Sequence, residues 1–597
     1  MDNRREFLKK SLILSGAAGL FTTLPSCQKF LTRNPPTSIG SGSFFKTEKD
    51  LELYSNGFLQ SNMPTPETLT FGDQYADNIA TTKSTVFLTG AWTADQQGGW
   101  SISTWGKLKN VNYFLEHVDE VTASDEVKNH YQGVGRFWRA WFYYEMVRDF
   151  GDVPWYDKPI DPSDTEALDK ARDPRATVMD KVLEDLTYAG ENCSSDDQFV
   201  KTSSRINKWT ALAFKSRVCL FEGTYRKYHT ELGLTDTADK FLQAAADAAK
   251  ELMDNGPFSL VSDPGKVQTQ YRSLFISEAV QTREIILANT YSDSASRWHN
   301  ITRQYNTASY GNRWSLTKQF VNTYLMTDGS RFTDKSGYDT MSFTEEVQNR
   351  DYRLSQTVRT PGFTRTVKGK ASTPVAPDFS VTLTGYEPIK WCLDDDVYDT
   401  NDTCDNSLSV FRYGEVLLNY AEAMAELGKF DETVWNATIK LLRERAGVAG
   451  TVPQTADPYL TAYYGGQVTD KWILEVRRER GIELVLENLR YDDIMRWKMG
   501  NLLTLPWYGI YVPAADTPYD LNSDGKKDVA FVSPGHGKIA DVYNVNLGSG
   551  YALKDGEKGN VEYQFKRIWE DKKYLHPIPQ DAINQNPNLT QNPGWDS

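Results

Sequence analysis

The sequence predicts a mainly α protein, in which a tetratricopeptide-like helical repeat scaffold carries a large, irregular, loop-rich lobe with minor β structure. Apolar residues recur at helical spacing in several long segments. Helices joined by short, glycine-containing turns form recurring pairs, which is typical of helical repeat architectures. Long stretches rich in Ser, Thr, Gly and Asp separate these segments, and this composition favours loops.

The first half of the chain shows the clearest helical periodicity. Four apolar residues at positions i, i+3, i+4 and i+7 share one face of a helix predicted over residues 131–149. They are Phe137, Ala140, Trp141 and Tyr144. The turn Gly151-Asp152-Val153-Pro154 ends this helix, because proline cannot continue it. Further helices are predicted over residues 105–118, 175–189, 207–228 and 240–254.

The second half repeats the pattern with degenerate repeats. Helices return at Ser409, Gly428 breaks the first of them, and residues 433–445 are predicted to form its antiparallel partner. A further pair is predicted over residues 470–487 and 491–499.

The scaffold and the lobe are interleaved in sequence. A signal peptide is predicted over residues 1–26 and the mature chain over residues 27–597. The helical repeats occupy mainly residues 105–255 and 409–500. The lobe occupies mainly residues 28–104, 261–405 and 501–597, with a β-like run over residues 284–289. Because the lobe interrupts the scaffold, we treat the mature chain as one body.

The N-terminal segment has the layout of an export signal. Basic residues precede a mostly apolar stretch over residues 11–21, which is too short to cross a bilayer of about 30 Å as a stable helix. The sequence Leu-Pro-Ser-Cys at residues 24–27 resembles a lipobox, a pattern in which the cysteine, here Cys27, is diacylated. The lipid chains would anchor the protein to a membrane. Residues 3–9 also resemble a twin-arginine motif, so the export route stays open.

The composition argues against one broad class of partner. The 597 residues carry a formal net charge of -14 and contain no long basic run. Nucleic-acid binding needs clustered Lys and Arg that displace counterions from phosphates. We therefore expect no nucleic-acid partner.

The cysteines that follow the lipobox form no C-x-x-C pair, which argues against a zinc ribbon or a thioredoxin-like motif. They are Cys193, Cys219, Cys392 and Cys404. Cys392 and Cys404 are close enough in sequence to bridge a surface loop in an oxidising compartment, and the sequence leaves their pairing open.

One loop resembles a calcium-binding loop. Acidic and amide residues alternate before Gly525, so their oxygens can converge as the loop curls. The candidate ligands are Asp520, Asn522, Asp524, the carbonyl of Lys526, and Asp528. Position 12 of this EF-hand-like pattern is Phe531 rather than a bidentate glutamate. A structural Ca²⁺ and a plain Asp/Asn-Gly turn both fit the sequence, and no other cofactor is expected.

Motifs of hydrolytic enzymes are missing. The sequence contains no H-E-x-x-H and no G-x-S-x-G. Paired carboxylates of a glycosidase need not be close in sequence, and nothing singles out a pair among the 80 acidic residues. We therefore expect a binding protein rather than an enzyme.

Several segments carry motifs of one family, in the same order along nearly the whole mature chain. They are Gly135–Ala140 with the Gly-Asp-Val-Pro turn, Asn349–Arg353, Phe411–Ala423, Arg443–Gly447, Glu479–Trp497 and the C-terminal Tyr574–Pro579 with Gln591–Trp595. With the lipobox, they make the chain resemble the SusD/RagB family of outer-membrane lipoproteins. Gly414 replaces an alanine of the family pattern, and Tyr352 replaces a proline.

The resemblance implies a tetratricopeptide-like scaffold, an outward-facing lipid anchor in the outer membrane, and a SusC-like TonB-dependent barrel as partner. It also implies non-catalytic capture of oligosaccharides or polysaccharides and their delivery to that barrel. The alternatives are capture of peptides, a purely structural lid on the transporter, and a surface glycoside hydrolase.

Sugar capture needs aromatic platforms together with polar side chains that bond to hydroxyls. Two loop clusters could supply them. The first contains Asp73, Tyr75, Asp77, Trp92 and Trp100, and the second contains Trp298, His299, Tyr305, Tyr310 and Trp314. Trp92 and Trp298 are the preferred candidates.

Charged residues inside the motif helices are interpreted as inter-helix salt bridges rather than ligand contacts. They are Arg139, Glu415, Glu422, Arg445, Glu483 and Arg490.

Overall fold

A computed structural model of the chain describes residues 44–161 and 163–596. It confirms a mainly α scaffold with a loop-rich lobe and short strands. The predicted signal peptide and the lipidation of Cys27 lie outside the described residues, so both stay predictions.

Most of the long helices follow the predicted segments, whereas the first, Glu48–Asn62, lies within residues 28–104, which were predicted to belong to the lobe. The scaffold helices are α1 Glu48–Asn62, α2 Ile102–His117, α3 Asp125–Phe150, α4 Arg175–Asn192, α5 Lys208–Tyr228, α6 Ala238–Asn255, α7 Tyr413–Glu426, α8 Glu432–Ala437, α9 Ile439–Arg445, α10 Lys471–Glu483 and α11 Arg490–Arg496.

Shorter helices lie mostly in the lobe. Those of α type are Pro66–Phe71, Val86–Thr89, Thr165–Leu168, Asp197–Val200, Gln270–Ser273, Ile301–Asn306, Lys318–Val321, Phe343–Glu346, Tyr352–Thr357, Pro458–Tyr463 and Gln580–Gln585. Those of 3₁₀ type are Gly72–Tyr75, Ala94–Gln96, Val118–Glu120, Thr230–Leu232, Thr235–Thr237, Pro264–Lys266, Phe332–Asp334, Tyr338–Thr340, Asp396–Asp399, Gly500–Thr504 and Asp571–Tyr574.

Most scaffold helices pack in series along the chain. Helix α3 packs on α4, α4 on α5, and α5 on α6. The series continues across the lobe insertion, because α6 packs on α7 and α7 on α10. The four apolar residues predicted to share a face of α3 are all buried. This stacking confirms the predicted helical repeat scaffold.

The strands are short and form small sheets. They are β1 Ile79–Ala80, β2 Ile285–Asn289, β3 Ser315–Leu316, β4 Thr364–Val367, β5 Lys370–Pro374, β6 Leu408–Arg412, β7 Trp507–Val512, β8 Pro518–Tyr519, β9 Val529–Val532, β10 Tyr543–Asn546, β11 Tyr551–Leu553 and β12 Gly559–Tyr563. The pairs are β1 with β3, β2 with β6 and β4 with β5, and the three-stranded sheets have the orders β10-β9-β8 and β11-β12-β7.

Three predicted boundaries are wrong for local reasons. Ser409 lies on strand β6, whose five residues are all buried, and such a run has no periodicity that separates strand from helix. The helix predicted over residues 433–445 is divided at Thr438, which has a non-helical backbone (φ -134°, ψ -86°). Helix α10 ends at Glu483, and Leu486 and Asn488 then adopt left-handed conformations.

A buried ionic cluster joins the scaffold to the lobe. Glu483 on α10 accepts hydrogen bonds from Arg412 at 2.6 Å, from Arg353 at 2.8 Å and from Arg445. Arg353 belongs to the lobe, whereas Arg445 ends α9. Burial alone would raise the pKa of Glu483, but attraction to the three arginines holds that pKa well below its ordinary value.

The same cluster explains the glycine at position 414. A Cβ atom there would lie 2.4 Å from the Nη1 atom of Arg412, which is fixed by its bond to Glu483. Glycine therefore leaves the room that this pair needs.

The remaining motif charges also pair inside the protein, which confirms their structural interpretation. The pairs are Arg139–Asp185 at 2.7 Å, Glu415–Arg217 at 2.6 Å, Glu422–Arg496 at 2.6 Å and Arg490–Asp77 at 2.8 Å.

Cys392 and Cys404 are both buried free thiols, so the structure contains no bridge between them.

Among residues 44–161 and 163–596, no helix combines the length and the apolar character needed to cross a bilayer.

Candidate ligand-binding cleft

A cleft of about 620 Å³ opens beside the first turn of α2. Its size falls in the range of about 300–1,000 Å³ that is usual for small-molecule sites. The walls come from α2, from the segment after α3, from the short helix Thr165–Leu168 and from the C-terminal segment. The cleft therefore lies where the scaffold meets the loops.

Aromatic rings form the inner wall at the start of α2. Ser101 caps this helix by accepting a hydrogen bond from the backbone N–H of Thr104 at 3.2 Å. Trp100 and Trp105 flank the cap and meet edge to face, with ring centroids 5.4 Å apart. Tyr156 meets Trp105 at 5.8 Å in the same manner. The three half-buried rings brace one another and keep apolar surface in the cleft.

Hydrogen bonds from the scaffold hold the second wall in place. The Tyr143 hydroxyl on α3 accepts the backbone N–H of Tyr156 at 2.5 Å. The Asn112 amide on α2 donates to the carbonyls of Tyr156 at 2.9 Å and Lys158 at 3.3 Å. Burial raises the pKa of Tyr156 to about 12, so its phenol stays neutral and donates to the Ala167 carbonyl at 2.8 Å. The cleft is thus preformed rather than a gap between loose loops.

The C-terminal segment closes the remaining side. Asn586 donates to the carbonyl of Lys170 at 2.9 Å, and Asn588 donates to the carbonyl of Asp169 at 2.7 Å. Ala582, Gln585 and Leu589 complete this wall. The stretch between the two C-terminal motif segments therefore helps to shape the cleft.

Apolar side chains stand open at the mouth. Ile102 is 92% exposed and Leu168 is 47% exposed, although both are large aliphatic residues that normally seek burial. Both also line the cleft. A ligand with an apolar face would cover them on binding.

Of the predicted ligand contacts, the structure places Trp100 in this cleft. Trp92 instead packs against His576 at 4.8 Å and Trp595 at 5.2 Å, so it fixes the C-terminal segment. Tyr75 is half-buried and packs against Phe87 at 6.0 Å. None of these placements tests binding, and contact with a ligand stays a prediction.

Four predicted contacts are buried, which argues against direct contact with a ligand. Asp77 pairs with Arg490, and Asp73 accepts the backbone N–H of Leu486 at 2.7 Å. The Tyr305 hydroxyl donates to a main-chain carbonyl at 2.6 Å, and the Trp314 ring stacks on Phe71 at 4.2 Å. Each side chain is at most 3% exposed, so it offers a ligand no surface.

Trp298 lies outside the cleft and remains a separate exposed platform. Its ring is 39% exposed, and its indole N–H donates to Asp293 at 3.2 Å. Tyr310 is 45% exposed and carries the Arg303 guanidinium 3.6 Å from its ring centre, whereas His299 is buried.

Sequence reasoning missed Trp105 and Tyr156. The signal for Trp105 was the capping residue Ser101, which starts α2 earlier than predicted and places Trp105 in the first turn beside Trp100. Tyr156 follows the Gly-Asp-Val-Pro turn, and no local pattern shows that the chain folds back there.

Burial of Asp73 yields a pH-dependent prediction. Desolvation raises the pKa of Asp73 from 3.8 to about 6 despite its hydrogen bonds. Its contribution to stability is complete below the unfolded pKa and declines as the pH rises through about 6. Relative to the wild type, Asp73→Asn should gain about 3 kcal/mol of unfolding free energy between pH 4 and pH 8. Urea unfolding at several pH values measures this difference, and a difference independent of pH would contradict the assignment.

The candidate calcium loop connects β8 to β9, without flanking helices. Asp520 accepts backbone N–H groups from Ser523 at 2.6 Å and from Gly525 at 2.9 Å. Asn522, Asp524 and Asp528 likewise accept backbone N–H groups within the loop. In the described part of the chain, no group of three or more His, Cys, Asp or Glu is arranged to hold a metal ion. Binding of Ca²⁺ through these side chains and the Lys526 carbonyl stays a prediction.

Together, these features define a class: a tetratricopeptide-like protein whose loops build one preformed cleft on a helical scaffold. The SusD family profile matches residues 283–595, and a second profile, described as starch-binding associating with outer membrane, matches residues 29–220. The chain belongs to the SusD family.

Known relatives are distant but cover most of the chain. SusD-like protein P38 of Formosa agariphila is 22% identical over 521 residues, covering 79% of this chain and 88% of the relative. SusD-like protein P2 of the same organism is 24% identical over 514 residues, covering 81% and 90%.

Solved structures share the fold. A SusD-like protein of Bacteroides fragilis superposes with a TM-score of 0.68 at 22% identity, covering 94% of this chain and all of that chain. A SusD-like carbohydrate-binding protein of the same species gives a TM-score of 0.67 at 20% identity, covering 92% and 100%.

Proposed function

We propose that this protein binds oligosaccharides without cleaving them and delivers them to a SusC-like TonB-dependent barrel. The observation that carries this proposal is the preformed cleft, in which Trp100, Trp105 and Tyr156 offer aromatic surface beside polar side chains. Aromatic surface suits the apolar C–H faces of sugar rings, and polar side chains suit their hydroxyls. Family membership and the carbohydrate-binding relative support the same function.

The lining of the cleft argues against hydrolysis there. Asp169 is the one carboxylate among the described residues that line it. Glycosidases generally need two carboxyl groups about 5–9.5 Å apart, one on each side of the bond that is cleaved. A surface glycoside hydrolase is therefore the weaker alternative for this site.

The location forms part of the proposal. Diacylation of Cys27 would anchor the protein in the outer membrane, and the second matching profile carries a description that includes outer-membrane association. The cleft would then face the outside of the cell, above the barrel. Purification of the full-length lipoprotein from membranes should recover a TonB-dependent barrel. Recovery of the lipoprotein alone, under conditions that preserve other membrane complexes, would contradict delivery.

Retardation in native gels containing single polysaccharides tests the binding function. We expect residues 28–597 to be slowed by one glycan class, with no reducing ends released over hours. Release of reducing ends would favour the hydrolase. Absence of retardation by any glycan would favour peptide capture or a structural lid, and a peptide library screened by the same protein separates those two.

A further inference from the structure

The balance of positive and negative charge in the cleft differs from that of the chain as a whole. The chain contains 80 acidic and 66 basic residues. The charged residues that line the cleft are Lys109, Lys158 and Asp169, two cations against one carboxylate. Both lysines are exposed and form no ion pair among the described residues. The cleft thus presents two uncommitted ammonium groups in an acidic protein.

Lys109 and Lys158 lie on two walls of the cleft that Asn112 joins by hydrogen bonds. Trp105, Lys109 and Asn112 are spaced i, i+4 and i+7 along α2, so they lie on one helix face. Asn112 holds the carbonyl of Lys158 at 3.3 Å, so the Lys158 backbone lies beside the turn of α2 that runs from Lys109 to Asn112. Trp100 and Ile102 lie at the start of the same helix. About 6 Å of helix rise separates Trp105 from Lys109.

We infer that the cleft selects anionic glycans, whose carboxylate or sulfate groups meet Lys109 and Lys158 beside a sugar ring held by Trp105. This inference rests on the proposed function and specifies its ligand class. A lysine ammonium is a compact charge with rotatable donors, so it accepts either anion without a fixed geometry. Two such charges on an exposed rim attract an anion over a distance set by the ionic strength. Asp169, the one carboxylate among the described lining residues, limits the number of anionic groups that fit.

Calorimetric titration of residues 28–597 with matched ligand pairs tests the inference. One pair is an oligogalacturonate and its neutral methyl ester, and the other is a sulfated galactan oligosaccharide and its desulfated form. In at least one pair, the anionic member should bind at least tenfold more tightly at low ionic strength. This preference should shrink in 0.5 M salt, because screening weakens exposed charge interactions. The ligand pair that shows the preference tells whether the cleft recognises a carboxylate or a sulfate.

Variants assign the preference to the lysines. The double variant Lys109→Met, Lys158→Met should lose the anionic preference, and Asp169→Asn should increase it. Lys370→Met is the matched control, because Lys370 is an exposed lysine on β5, away from the cleft. Thermal unfolding checks that all variants remain folded.

The outcomes separate this inference from the proposed function. Equal binding of neutral and anionic members, or an anionic preference unchanged in the double variant, would overturn the inference and leave glycan binding intact. Retardation in native gels by neutral polysaccharides alone would also overturn the inference and leave glycan binding intact. If no glycan of either charge binds, the proposed function fails, and this inference fails with it.

Discussion

Replacement of Glu483 by alanine is expected to lower the free energy of unfolding by about 3–5 kcal/mol. Its carboxylate is fully buried and accepts hydrogen bonds from Arg353, Arg412 and Arg445. Removal would leave three buried guanidinium groups without this counter-charge, and solvent could not reach them to compensate. Because the partners lie on the lobe and the scaffold, both parts should loosen.

Urea unfolding followed by circular dichroism measures this loss. Glu483→Gln keeps the shape of the side chain and removes its charge, so this variant should lose less unfolding free energy than Glu483→Ala. Asp254→Asn is the control, since its pair with Lys250 is about half exposed and should cost less than about 0.5 kcal/mol. Equal, small losses for Glu483→Ala and Asp254→Asn would show that the cluster does not hold the lobe to the scaffold.

Replacement of Trp105 by alanine is expected to weaken glycan binding by about 2 kcal/mol, or roughly 30-fold in Kd. Trp105 contacts both other rings of the cleft wall, so truncation removes stacking surface and loosens Trp100 and Tyr156. Trp100→Ala should have a smaller effect, because Trp105 and Tyr156 would still face each other. Calorimetry with the glycan that retards the wild type measures both losses.

Two tryptophans outside the cleft serve as controls for this series. Trp298→Ala removes an exposed ring away from the cleft and should leave Kd unchanged. Trp92→Ala should lower thermal stability more than affinity, because that ring holds the C-terminal segment. Loss of binding in Trp298→Ala, together with normal binding in Trp105→Ala, would place the site on the separate platform.

Periodicity predicted the scaffold well because the long helices bury one face each. Helix α3 is an example, since its apolar spacing and its terminating turn are both visible in the sequence. The secondary structure of fully buried segments was harder to predict from periodicity. Strand β6 and the start of α7 form one continuously buried run, and the pairing of β6 with β2 separates strand from helix.

The cleft could be predicted only in part, because its walls are assembled by long-range contacts. Trp100 was recognised as an aromatic residue in a loop. Asp73 and Asp77 also lie in a polar loop, yet Arg490 and the Leu486 backbone, more than four hundred residues away, draw them into the interior. Composition cannot distinguish a loop carboxylate that faces solvent from one that pairs with a distant arginine.

A crystal structure of residues 28–597 with the retarding glycan bound would locate the binding site directly. We expect sugar density in the cleft, with a ring against Trp105 and substituents towards Lys109 and Lys158. Density at Trp298 and Tyr310, with the cleft empty, would contradict this expectation.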